Sequence, residues 1–170
     1  MIPIALFAAV LAQTPPPAPP PTVDCTDADH SAFNFWIGDW DVSPTGSQTV
    51  VAHSIISPAA GGCAIEENYH QTVGPGGAAA DYHGASFSIY DGAHGGVWRQ
   101  FYVDSGGSVT AFEGGVEDGA MVLNAPGAGG GVQRMTVSVQ PDGSVRQHGE
   151  SSVDGGATWR PGYDFTYRRR

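Results

Sequence analysis

The sequence predicts an all-β protein: a single up-and-down antiparallel β-barrel of about ten strands, introduced by a short N-terminal helical turn. Three observations lead there. Beyond Trp40, strand-like runs recur about every 8–14 residues, separated by turn signals, so consecutive strands pair antiparallel. No amphipathic helical window of useful length interrupts them, which disfavours the crossover helices that parallel sheets require. Finally, meander connections favour a barrel over a sandwich, because closure removes the unpaired edges that an open sheet of so many strands would leave.

The chain divides into residues 1–12, 13–24 and 25–170. The apolar run Ile2 to Ala12 is too short to span a bilayer and fits the hydrophobic centre of a signal peptide, with Val10 and Ala12 at the small-residue cleavage positions. Pro15–Pro17 and Pro19–Pro21 make the next segment an extended tether. A periplasmic or secreted location follows, with no transmembrane segment in the mature chain. Export makes Cys25 and Cys63 a disulfide pair, worth roughly 3–4 kcal/mol in the chain-entropy description of a loop this size.

The barrel domain opens on a helical turn at Asp27 to Phe35, capped by Thr26. Four large aromatics then surround one glycine in Phe33-Asn34-Phe35-Trp36-Ile37-Gly38-Asp39-Trp40. Gly-x-Trp at the start of a first strand suits the closed end of a small barrel: glycine lets segments approach, and the indole fills the floor. Strands follow over Trp40–Ser43, Thr49–Ser57, Ala64–Thr72, Tyr82–Tyr90, Val97–Val103, Val109–Val116, Ala120–Leu123, Gln133–Val139, Val145–Ser152 and Gly162–Tyr167. Their separators carry Pro-Thr-Gly, Pro-Gly-Gly, Asp-Gly or Ser-Gly signatures, except near Pro58 to Gly62.

With 170 residues, 41% of them hydrophobic, the chain suffices for one domain with a sizeable core. Lysine is absent and the formal net charge is −10, which argues against nucleic acid or an anionic membrane surface as partner.

The aromatic run is followed by Gly61-Gly62-Cys63-Ala64-Ile65-Glu66-Glu67-Asn68-Tyr69, Tyr90-Asp91, Trp98-Arg99-Gln100-Phe101-Tyr102-Val103-Asp104 and Ser151 to Trp159. In this order, over about Cys25 to Arg168, the segments resemble the exported bacterial family known as domain of unknown function 1579. The resemblance implies a calycin-like barrel, similar in outline to lipocalins and fatty-acid-binding proteins. It implies no catalytic residues.

Ser152-Val153-Asp154-Gly155-Gly156-Ala157-Thr158-Trp159 also matches the Asp-box repeated in sialidase propellers. One copy cannot build a propeller, so a rigid hairpin is expected, with Asp154 accepting backbone N–H bonds and Trp159 packing beneath. The histidines at 30, 53, 70, 83, 94 and 148 show no metal-binding spacing, although His70 and His83 flank a turn and can face each other across a hairpin. No cofactor, metal ligand or nucleophile emerges. Gly84-Ala85-Ser86-Phe87 lacks the second glycine of a nucleophile elbow.

What remains is the interior. Trp98, Gln100 and Tyr102 share one strand face, while Val97, Arg99, Phe101 and Val103 share the other; neither is purely polar. Glu66 and Glu67 point to opposite sides, and Glu67 shares its side with Ile65 and Tyr69. We expect Trp98, Gln100 and Tyr102 to line a cavity for a small, largely apolar ligand, with Trp40, Glu67 and Tyr69 beside it. Two other readings use the same scaffold. One is an enzyme or haem/redox protein with Glu67 or a histidine as base or ligand; the other is a solid barrel acting through its outer surface in the envelope.

Overall fold

The computed structural model describes residues 23–170. The expected signal peptide, and all of the proline-rich tether but Val23 and Asp24, lie outside the described residues. Ten strands, β1 Gly38–Pro44, β2 Ala52–Ala59, β3 Ala64–Val73, β4 Ala79–Asp91, β5 Val97–Asp104, β6 Val109–Glu117, β7 Ala120–Pro126, β8 Val132–Val139, β9 Val145–Ser152 and β10 Arg160–Arg169, form one closed barrel. Each pairs antiparallel with its sequence neighbours, and β1 pairs with β10 to close the cylinder, placing Trp40 opposite Arg169 and Val42 opposite Tyr167. Among the described residues no helix is long and apolar enough to cross a membrane.

Several strands outrun their sequence signals. β10 starts at Arg160, where the register shifts between Pro161 and Tyr163, since proline has no N–H to give the ladder. β2 starts later than expected, at Ala52. The preceding residues make the β1–β2 connection: Ser47 N–H donates to Pro44 O, the Ser47 hydroxyl accepts from Thr49 N–H, and Val51 N–H returns to Val42 O.

The N-terminal turn also differs. A helix α1 covers only Ala28–Ser31, and a separate 3-10 turn covers Asn34–Trp36. Its cap is Asp27, not Thr26: the Asp27 carboxylate accepts from His30 N–H at 2.9 Å, whereas the Thr26 hydroxyl turns back to Asp24 Oδ1 at 2.7 Å. The cap must sit directly before the first helical residue to reach the free N–H groups, and Thr26 is one position too early.

This segment closes one end of the barrel. Phe33 and Trp36 are fully buried and stack with ring centres 5.1 Å apart, and Phe33 meets Trp98 edge-on at 5.7 Å. The Trp40 indole donates to Trp36 O at 2.9 Å, and the Arg169 guanidinium lies 4.3 Å from the Trp40 ring centre. Gly38 has to be small here: a Cβ would fall 2.9 Å from Trp40 Cε2 and closer still to the Arg169 guanidinium. The Trp98 indole donates to Asp29 O at 3.2 Å, and the Cys25–Cys63 disulfide ties the segment to the β2–β3 corner. Packing, hydrogen bonds and a covalent link thus converge on one plug.

Candidate functional site: the barrel interior

Burial grades along the strands from plug to mouth. On β3, Ile65, Glu67 and Tyr69 are buried and Gln71 half-buried; on β5, Trp98 and Gln100 are buried and Tyr102 half-buried. Above the plug lies a cavity of about 320 Å³. Of the six residues expected around a ligand, Glu67, Tyr69, Gln100 and Tyr102 line it, whereas Trp40 and Trp98 lie below, in the plug. The indoles are drawn down by the aromatics of the N-terminal segment, whose contribution to the floor strand alternation cannot reveal.

Closure resolves the ambiguous face of β5. Gln100 is 3% exposed inside, while Phe101 is 54% exposed outside, opposite the equally exposed Phe87. Serine lines the inside nearby: Ser54, Ser86 and Ser88 are all buried. The wall near the plug is therefore more polar inside than a solid core would be. Its groups are nonetheless satisfied: Gln100 Nε2 donates to Ser88 Oγ at 3.0 Å.

Glu67 brings a carboxyl into this interior. The Ser54 hydroxyl donates to its Oε1 at 3.0 Å, with Ser86 Oγ and the Tyr167 hydroxyl each 3.5 Å away. Burial pushes the carboxyl up to about 7, against hydrogen bonds from Ser54, Tyr167 and Ser86 that favour the anion. Near neutral pH the cavity base thus holds a proton that is readily gained or lost. Burial raises the Tyr69, Tyr102 and Tyr167 hydroxyls well above the usual tyrosine range, so they stay neutral.

The tyrosines shape the upper cavity. The Tyr82 and Tyr102 hydroxyls meet at 2.8 Å, and Tyr82 also donates to Asp104 Oδ2 at 3.2 Å. Gly84 permits this, because a Cβ there would lie 2.7 Å from Tyr102 Cζ. Sequence reasoning missed Tyr82, Phe112 and Gln147 as lining residues, although Tyr82 shares the strand parity of buried Ser86 and Ser88. Tyr163, Phe165 and Tyr167, alternate residues of β10, line the cavity as well.

Chemically, the site can enclose a small molecule, offer it aromatic surface, and meet one polar group with a carboxyl, amides and hydroxyls. Among the described residues, none that lines the cavity is a histidine that could hold a haem there. The serines nearest Glu67 bond to the carboxyl rather than to an imidazole base. The Asp154 turn stands apart from the cavity: Asp154 accepts from Thr158 N–H at 2.8 Å and Thr158 Oγ1 at 2.6 Å, and Trp159 lies under the Arg134 guanidinium at 3.8 Å. It is a side-chain-braced hairpin on the barrel.

The fold and cavity define the class: a disulfide-bonded, ten-stranded up-and-down barrel with one plugged end. No family model matches the chain, and no curated protein matches it significantly.

Proposed function

We propose that the protein is a periplasmic or secreted binding barrel that holds a small, largely apolar molecule in its interior, its polar end turned to Glu67. The observation that carries this reading is the cavity itself: about 320 Å³, walled by aromatic rings, with a buried carboxyl at its inner end. That volume is at the lower end of the range for small-molecule sites. The disulfide supports an oxidising compartment. The order of sequence segments and a barrel of calycin outline support membership of the exported family named above.

The test is native mass spectrometry of protein purified from its own host, followed by extraction and identification of any retained mass. A stoichiometric small molecule is expected, and Gln100→Leu and Tyr102→Ala should lower its retention while the fold, read by circular dichroism, persists. Retention unchanged in both variants would place the ligand elsewhere; no retained mass, with no uptake of fatty-acid or aromatic probes, would leave the solid-barrel reading.

A further inference from the structure

On the outer wall, away from the cavity, three strands bring histidines into one row. His53 on β2 pairs with His70 on β3, which pairs with His83 on β4. The His70 and His83 rings lie parallel within 8°, with centres 4.2 Å apart. Asp81, two residues before His83 and therefore on the same strand face, joins them. His70 Nε2 is 2.9 Å and His83 Nε2 3.0 Å from the same atom, Asp81 Oδ1. From this convergence we infer a surface site for a divalent transition-metal ion of the zinc, copper and nickel class, held by His70, Asp81 and His83.

A metal cation where the three atoms meet would bond both imidazole nitrogens and the carboxylate oxygen at once. All three ligand atoms lie within 4.8 Å of one another. For a metal about 2.0–2.1 Å from each atom, the nitrogen–oxygen separations correspond to a bite of about 90°. That is the angle between neighbouring ligands in octahedral coordination.

Two imidazoles with one carboxylate suit this class of ion, whereas calcium and magnesium favour all-oxygen shells. The side chains are 45%, 58% and 81% exposed for His70, His83 and Asp81, so remaining positions open to water, as in three-ligand zinc centres. His53 is not counted as a ligand, because its Nε2 is already bonded to Asp39 Oδ1 and lies 3.2 Å from Arg170. Among the described residues no partner orients the Nδ1 atoms of His70 and His83, so the expected affinity is about 10–100-fold weaker than for imidazoles held by such partners.

The test uses tag-free protein stripped with chelator, titrated with zinc chloride by calorimetry and with cobalt chloride by visible absorption. One equivalent of zinc is expected to bind, with cobalt giving a ligand-field band. His70→Ala, His83→Ala and Asp81→Ala should each weaken binding by about tenfold or more, while His94→Ala, in a separate turn, leaves it unchanged. All three side chains are largely exposed, and a thermal melt of each variant checks that the fold persists. Absence of saturable binding in the wild type overturns the inference. So does equal affinity in the His70→Ala/His83→Ala double variant, which would place the ion elsewhere.

Discussion

Ser54 on β2 donates its hydroxyl to Glu67 Oε1 on β3 across 3.0 Å, with both side chains shielded from water. The bond favours the carboxylate, yet burial outweighs it and leaves the carboxyl at about 7. The folded state therefore binds a proton that the unfolded chain, at about 4.5, has released. Stability falls as pH rises from about 4.5 to about 7 and is level above, a loss on the order of 3 kcal/mol when the shift is fully expressed. Glu67→Gln should remove that slope, so chemical denaturation should show the variant gaining on the wild type at pH 8 relative to pH 5. A gap between the two proteins that does not change with pH would show that Glu67 keeps an ordinary carboxyl.

Gly84→Ala puts a methyl group against the Tyr102 ring. The expected loss is about 1–3 kcal/mol, since the ring must leave its place beside Tyr82. Adding Tyr102→Ala should recover much of it, and a double-mutant cycle on unfolding free energies reads that coupling. Strictly additive effects would mean that the glycine matters for another reason.

Cys25 and Cys63 enclose a loop with a sequence separation of 38. Cys25→Ser/Cys63→Ser should cost roughly 3–4 kcal/mol in urea denaturation, and a reductant should reproduce the loss in the wild type only. Loosening should concentrate in the plug, visible as greater fluorescence quenching of Trp36 and Trp98. Full stability without the bond would mean that aromatic packing alone holds the plug.

Asp154 anchors the β9–β10 hairpin, and hydrogen bonds from Thr158 and Ser152 pull its carboxyl down to about 2. A lowered carboxyl pKa stabilises the fold above about 3.8, and that contribution disappears as pH falls through about 2. Asp154→Ala should speed amide exchange at Gly156 and Thr158 at pH 6 without altering the plug. Unchanged exchange would show that Gly155 and Gly156, both at positive φ, hold the turn unaided.

The fold was largely legible because its information is local. Asp118-Gly119 and Pro141-Asp142-Gly143 mark turns through backbone preferences that need no tertiary contact, and Gly119 and Gly143 do take positive φ. The interior was legible only in part. Alternation grouped Gln100 with Tyr102 but could not say which side faced in, because an apolar ring stood on each face. Asp81 went unnoticed as a companion to His70, although its two-residue spacing from His83 put both on one side. The pairing with His70 depends on register across the β3–β4 turn.

By itself, then, the order of residues determined the number of strands, their sequential pairing and the aromatic plug, since turn chemistry and strand period act over a few residues. Tertiary structure alone decided that Phe87 and Phe101 face water, and that Trp98 belongs to the floor rather than the cavity wall. The physical reason is closure. Joining β1 to β10 assigns an inside to every strand at once, and only that shared constraint outweighs the hydrophobicity of individual side chains.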